Sequence, residues 1–445
     1  MPSVPETFSL AWIDDLWSRS GEYIVLRDED DVLILPPNRV YHVNKTASRI
    51  IHWLKDGKKI LDFPGLNEER SLQIDAFFRN VAQALANKPH EATRIPYTFD
   101  YTKLPVLGEI AVTYRCNNRC RFCYAGCDGA CGRLDSADSP KQDIMRVIDI
   151  FKNEAKIPFF SFTGGEPLMR PDLEDLMRYA CSSGLKINLV TNGCLATPER
   201  AKSLYDAGLR TAQVSLESPV EAIHDDLCGR PGSYKQTVQG IVNLRDAGIL
   251  VQTNSTSTSQ NVHTLPDLPR FVKDLGCVRM SVNIFVPTKR SPQNDRLFIA
   301  YENIEPTIEA VRKAAAAVDL EFHWYSPIPL CIYNPIAHGL GNKNCAACDG
   351  LISVDPCGNV LPCSSWDEPV GNLLSDGFQN TWFSKRALAI KQKCFGHEEC
   401  KSCSSFSACQ GACPLYWQYA GYDELLRHAR EYKKRAQDDY TVKMV

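Results

Sequence analysis

Cys116, Cys120 and Cys123 stand at CxxxCxxC spacing in the stretch Arg115-Cys116-Asn117-Asn118-Arg119-Cys120-Arg121-Phe122-Cys123-Tyr124, directly after the strand-like run Gly108 to Tyr114. Three thiolates hold three irons of a cubane cluster, whereas electron-transfer clusters are normally held by four. The remaining iron is then a Lewis-acidic position that a small molecule can chelate. The same residues also suit a structural zinc site, which needs a fourth ligand close by, or a loop of buried cysteines. A second constellation, Phe162-Thr163-Gly164-Gly165-Glu166-Pro167, closes the next strand-like run. Paired glycines let backbone approach a ligand, and a carboxylate fixed by the following proline can accept from an ammonium group.

A third constellation lies far downstream. Cys348, nine residues, Gly358, four residues and Cys363 are followed by Cys400-x2-Cys403-x5-Cys409-x3-Cys413. A single zinc ribbon uses four ligands and leaves most of these thiols unexplained. The chain has 445 residues and nineteen cysteines, with none in the first 115 residues and nine between Cys345 and Cys413. Without an export signal, that usage argues against disulfides and for metal or redox chemistry in a reducing cytoplasm. Net charge is −3 and the isoelectric point ≈ 6.3, which speaks against bulk nucleic-acid binding. No apolar run reaches membrane-spanning length, and the opening residues lack the basic and apolar regions of a signal peptide.

The elements that position these residues alternate. Helical periodicity over Ile144 to Phe151 precedes the strand Phe159 to Phe162, and a helix over Leu173 to Cys181 follows. Further strands are expected at Lys186 to Val190, Thr211 to Leu216, Ile249 to Thr253, Val278 to Val286 and Glu321 to Trp324. About six β/α units in strict alternation predict a parallel sheet with helices outside, curled or open, and ligands at the carboxyl strand ends. Ahead of it, Glu22 to Arg27, Asp31 to Pro36 and Arg39 to Val43 read as three β runs around the acidic turn Asp28-Glu29-Asp30. Asn44 then caps a helix through Ala47, Ile50, Ile51 and Leu54, and another helix crosses Leu72 to Leu85. Ile95 to Tyr101 reads as linker, and the stretch from Asp423 onward as a polar closing helix.

The cysteine motif, taken with the GGEP stretch, resembles the radical S-adenosylmethionine (SAM) superfamily. The resemblance implies a [4Fe-4S] cluster on Cys116, Cys120 and Cys123 that binds SAM, with Gly164, Gly165, Glu166 and Pro167 on its methionine moiety. It further implies Phe122 beside the adenine, Ser215 and Glu217 at the end of the fourth strand near the ribose, and Arg230 on the SAM carboxylate. Asn192 and Asn254 end the third and fifth strands. Glu217 departs from the commoner Asp. The cysteine-rich tail resembles the SPASM extension, which implies two auxiliary [4Fe-4S] clusters. The first takes Cys345, Cys348, Cys363 and Cys413, and the second Cys400, Cys403 and Cys409. The family usually supplies one more cysteine after the last CxxxC, and this sequence has none beyond Cys413. Cys394, Cys357, Asp423, His428 or Glu431 could substitute, or the site stays open. Cys127 and Cys131 are left as substrate-handling thiols, a redox pair or small buried cysteines.

The N-terminal passage Tyr41-His42-Val43-Asn44-Lys45-Thr46-Ala47 resembles the small winged-helix-like (PqqD-like) peptide chaperone of PQQ biosynthesis. That family holds the leader of a ribosomally made precursor peptide as an added strand; a plain structural cap or a DNA-binding winged helix are the other readings. The expected domains are therefore 1–92, peptide recognition; 93–107, linker; 108–325, a partial (β/α)6 radical SAM barrel; and 326–445, the SPASM domain. The α/β fold with these additions implies a peptide maturase that forms a thioether, C–C or C–O cross-link. Its expected partners are a precursor peptide and an electron donor such as flavodoxin or ferredoxin, with no nucleic acid and no membrane. A peptide epimerase, a formylglycine-type maturase, a tetrapyrrole-modifying enzyme and a multi-cluster electron carrier are the alternatives.

Overall fold

The computed structural model describes residues 9–36, 39–86, 88, 102–127, 138–289, 291 and 294–442; Cys131 and most of the expected linker lie outside them. The chain divides into two compact units, Met1–Val106 and Leu107–Val445.

In the first unit a helix, Trp12–Ser20, precedes strands β1 (Val25–Arg27), β2 (Val32–Leu35) and β3 (Arg39–His42), and helices Lys45–Lys55 and Glu68–Leu85 follow. The strands form one antiparallel sheet in the order β1-β2-β3. Asn44 caps the second helix, its side chain accepting from the Ala47 N–H at 2.9 Å, a contact worth about 1 kcal/mol. Ala47, Ile50, Ile51 and Leu54 are buried as their spacing predicts. The first helix is too short and charged to announce itself by periodicity, yet Ile13 joins Leu54, Ile60 and Phe78 in one apolar core. Asp30 is not a free turn carboxylate. It pairs with the buried Arg27 guanidinium at 2.7 Å, which also donates to the Pro105 carbonyl.

In the second unit seven parallel strands follow chain order: β4 (Leu107–Thr113), β5 (Phe159–Gly164), β6 (Lys186–Thr191), β7 (Thr211–Ser215), β8 (Leu250–Ser257), β9 (Arg279–Ile284) and β10 (Glu321–Trp324). Between successive strands the chain returns through helices such as Lys141–Asn153, Leu173–Ser182 and Ser233–Asp246, as parallel connection requires. The cysteine-rich stretch adds β11 (Leu351–Val354), which pairs parallel with β4, and β12 (Asn359–Leu361) and β13 (Gly371–Asn372), which extend the sheet antiparallel. One ten-stranded sheet therefore runs from β10 to β13. Its strands are mostly apolar, with edge-to-face contacts between Phe151, Phe160 and Phe162. At their carboxyl ends the buried residues turn polar: Thr113, Glu166, Thr191, Glu217 and Ser257. Polar groups buried together at that end mark where a polar ligand can be received.

One strand end differs from expectation. The fifth strand continues to Ser257, so Asn254 lies inside β8 rather than at its end, and its Oδ1 accepts from Ser281 at 2.8 Å. The last helix, Asp423–Val442, forms as expected. It is tied to the sheet unit where Arg427 and His428 meet Glu302, and where Glu424 accepts from the hydroxyl of Tyr416, whose ring in the preceding helix stacks on Tyr301 with centroids 3.7 Å apart.

Candidate active site and cysteine clusters

The loop carrying Cys116, Cys120 and Cys123 leaves β4 and is pinned on both sides by backbone. On one side the Gly165 N–H donates to Thr113 O and the Glu166 N–H to Arg115 O, both at 2.8 Å. On the other, Arg119 and Arg121 donate to the carbonyls of Cys228 and Leu227 at 2.9 Å. The two glycines are required by the packing of the strand ends. A Cβ on Gly164, at φ +132°, would stand 2.1 Å from Thr113 O, and one on Gly165 would stand 2.3 Å from Arg115 O. Both permit the close approach of β5's end to β4's end.

Burial pushes the Cys116 thiol up, and its neighbours Cys120, Glu166 and Cys123 act in part in the same direction. Cys120 is raised first by its hydrogen bond with Cys228 and then by burial. Three crowded, shielded thiols become thiolates once a cationic metal core offsets the charge. In the same loop the side-chain nitrogens of Asn117 and Asn118 are buried without a hydrogen-bond partner, which suits donors facing a sulfur-rich group. The donor set therefore fits a cluster held by three thiolates. Among the described residues no group of three or more His, Cys, Asp or Glu side chains closes around a single metal ion.

Glu166 is fully buried and its carboxylate is organised by three donors. Oε1 accepts from the Leu168 N–H at 3.0 Å and the Thr191 hydroxyl at 2.7 Å, and Oε2 from the Asn192 N–H at 2.7 Å. A carboxylate offers about four acceptor sites, so one remains, on Oε2, for a further donor. Burial raises its pKa while these donors oppose the rise. The Asn192 side chain reaches back to the cysteine loop, donating to Asn117 Oδ1 at 2.7 Å. Pro167 opens the short turn that follows. Ser215 ends β7, and Glu217 just beyond is buried, accepts from the Thr256 N–H at 2.7 Å and is pushed by burial to about 7. Arg230 spans from Gln236 at 2.6 Å to Asn118 Oδ1 at 3.4 Å. Phe122 packs against Leu227, Phe285 and Leu297. The structure thus brings Glu166, Asn192 and Arg230 to the cysteine loop, whereas Asn254 is engaged within the sheet.

The tail cysteines form two groups. Burial raises Cys363, with further contributions from Cys345 and Cys413, and raises Cys348 to about 12, with Cys345 adding to it. Cys345 thus acts electrostatically on Cys348, Cys363 and Cys413 alike. Cys400, Cys403 and Cys409 line a separate pocket, together with Cys331. Cys357 and Cys394 are exposed, and His428 is held at 3.1 Å by Glu302.

Residues 110–259 match the radical SAM superfamily, and residues 345–405 match the SPASM iron–sulfur cluster-binding domain. The chain belongs to the radical SAM superfamily and carries a SPASM domain. The AdoMet-dependent heme synthase of Nitratidesulfovibrio vulgaris is 29% identical over 67% of this chain and 85% of its own length. The mycofactocin maturase MftC of Mycolicibacterium smegmatis is 27% identical over 68% of this chain and 76% of its own. The Streptococcus suis SuiB structure bound to its precursor peptide SuiA shares the fold with a TM-score of 0.67 at 16% identity, covering 90% of this chain and 96% of that one. This radical SAM enzyme thus binds a [4Fe-4S] cluster and SAM, and its SPASM domain binds iron–sulfur clusters. Among the described residues no helix is long and apolar enough to cross a membrane.

Several groups around these sites escape sequence reasoning. His224 Nδ1 accepts from the Glu217 N–H, which leaves Nε2–H facing Cys228 Sγ at 3.5 Å beside Cys120. Cys127 is buried and hydrogen-bonded to Cys123, which lowers Cys123 and raises Cys127. Lys393, with no exposed surface, donates to the Cys345 carbonyl at 2.7 Å and lies 3.6 Å from Asp349. Gln410, between Cys409 and Cys413, buries an amide without a partner on either polar atom. The Lys393–Cys345 contact joins residues 48 apart in sequence, and the others are short-range contacts, or in Gln410 a partnerless amide, of residue types that carry no motif.

Proposed function

We propose that the chain is a peptide maturase that installs a cross-link in a ribosomally made precursor peptide. The observation that carries this reading is the extent of the shared fold: peptide-bound SuiB covers 90% of this chain in structure, while by sequence the maturase MftC and the heme synthase match it to the same extent, 68% and 67%. The N-terminal α+β unit then serves as the peptide-recognition domain, in the manner of the PqqD-like fold, within the expected limits 1–92.

Cys116, Cys120 and Cys123 hold the SAM-binding cluster. Glu166 offers its remaining acceptor site to the methionine ammonium within the Gly164–Pro167 turn, and Arg230 pairs with the methionine carboxylate. Ser215 and Glu217 lie toward the ribose, Phe122 lies toward the adenine, and Asn192 completes the polar rim. Cys345, Cys348, Cys363 and Cys413 hold the first auxiliary cluster, and Cys400, Cys403 and Cys409 contribute to the second. When bound, the SAM cluster and its ligand supply one-electron cleavage of the sulfonium to the 5′-deoxyadenosyl radical that removes hydrogen from the substrate. Forming a cross-link removes a second electron, and the two tail cysteine groups provide places to receive it. The initiating electron comes from a flavodoxin or ferredoxin in a reducing cytoplasm.

Anaerobically reconstituted protein, given SAM, a strong reductant and a peptide encoded beside its gene, should form 5′-deoxyadenosine and a peptide lighter by about two hydrogens. Cys120→Ala should abolish cleavage while retaining auxiliary iron. The second reading is a heme-precursor tetrapyrrole as substrate, favoured by the 29% identity to the heme synthase. Deoxyadenosine formation stimulated by that tetrapyrrole and not by peptide would select it.

A further inference from the structure

The second tail group has three cysteines by motif, and the structure supplies a fourth. The segment after β10 carries Cys331 onto the wall of the pocket that Cys400, Cys403 and Cys409 line. That placement is held by backbone: the Leu330 N–H donates to Cys409 Sγ at 3.4 Å. Backbone donors of this kind are typical of cluster-ligating sulfurs, whose potential they tune. The Cys331 side chain, itself partly buried, shares that wall with the three motif cysteines.

The candidates found in the sequence fare differently. Cys357 and Cys394 are exposed. His428 is taken by Glu302, and the closing helix presents Leu425, Ala429 and Tyr432 to the cavity instead. Oxygen donors on the wall are the Glu399 carboxylate, next in sequence to Cys400, and the Ser405 and Tyr432 hydroxyls, which bond each other at 3.1 Å.

We propose that Cys331 is the fourth protein ligand of the second auxiliary cluster, completing a set with Cys400, Cys403 and Cys409. The proposal rests on the reading of the tail as a two-cluster SPASM domain. It has a functional consequence. A cluster with four thiolates has no open iron for substrate, so this centre moves electrons and does not bind the peptide. It also links the exit of the barrel's last strand to the closing helix.

The test compares anaerobically purified wild-type protein with Cys331→Ala, Cys331→Ser, Glu399→Gln and Cys394→Ala, by iron content and electron paramagnetic resonance. Wild type should hold about 12 irons. Both Cys331 variants should lose about four, or about one with the appearance of a three-iron signal, while the SAM cluster spectrum stays unchanged. Glu399→Gln and Cys394→Ala should match wild type. Thiol alkylation of the native wild-type holoprotein, read by peptide mass spectrometry, gives a readout that needs no variant to fold. Cys331 should be protected until iron is chelated, while Cys394 reacts throughout. Full iron and an unaltered spectrum in Cys331→Ala, iron loss confined to Glu399→Gln, or ready alkylation of Cys331 in the holoprotein would each overturn the assignment. Wild-type protein with only about four irons would overturn the two-cluster reading itself, which the iron count of wild type alone reveals.

Discussion

Glu166 shows how a single side chain is prepared before any ligand arrives. Three donors fix its two oxygens, so the acceptor site left for an ammonium is set by the fold rather than by the ligand. Glu166→Gln keeps the length and one acceptor but loses the charge. SAM affinity should fall at least about tenfold, since charge-assisted hydrogen bonds contribute about twice what neutral ones do, with iron content unchanged in equilibrium binding. Glu166→Ala instead strands buried donors at about 1–3 kcal/mol each, and should also lower the unfolding midpoint. Glu217 has a different signature. Burial holds its folded pKa at about 7, against 4.5 for an ordinary glutamate, so the folded state retains a proton that the unfolded chain releases. Its stabilising contribution is complete below about pH 4.5, declines as pH rises through about 7, and is flat above that. Urea unfolding of the apoprotein at pH 5 and pH 8 should show a loss on the order of 3 kcal/mol from this group, and Glu217→Gln should remove it.

The β4–β5 pair is the element on which the site depends. Its two strand ends approach so closely that Gly164 and Gly165 have Thr113 and Arg115 carbonyls where a Cβ would be. Gly164→Ala must also place an L side chain at φ +132°, a region that costs on the order of 1–3 kcal/mol even without a clash. Either alanine variant should therefore lose several kcal/mol in denaturant unfolding of the apoprotein and should reconstitute less iron at the SAM cluster, with auxiliary iron the less affected. The reason is mechanical. Parting the strand ends moves the Arg115 carbonyl, and with it the first residue of the cysteine loop. Nothing in a GGEP string distinguishes this role from ligand contact, because the obstructing atoms lie some fifty residues upstream and come close only when β4 and β5 pair.

Across the whole chain, two architectural facts lead to opposite expectations. Met1–Val106 forms a compact unit with its own apolar core, so a chain reduced to 107–445 should still cleave SAM but fail to modify a leader-bearing peptide. Deoxyadenosine formation and peptide mass, measured side by side, separate those outcomes. By contrast, the expected boundary at 325/326 cuts a continuous sheet. β11 pairs with β4 along Leu351 to Val354, and removing it bares the edge of the strand that delivers the cysteine loop. A chain ending at residue 325 should be aggregation-prone and should not hold the SAM cluster, as checked by solubility and iron content.

Spacing marked the three-thiolate loop, because Cys116, Cys120 and Cys123 have short separations and their ligand geometry is local, and the resemblance of that motif with GGEP supplied the SAM chemistry. The same holds for Cys400, Cys403 and Cys409, whose separations are short enough to close around one cluster. Alternation of strand and helix likewise revealed the parallel sheet, since each β/α unit carries its own period. Tertiary structure decided what depends on distant partners: the donors on Glu166, the clash that requires Gly164, the pairing of β11 with β4, and the arrival of Cys331 opposite Cys400. Those contacts join residues whose separation along the chain is arbitrary. Their geometry exists only after the sheet has fixed its register, and so the sequence holds no spacing from which to read them.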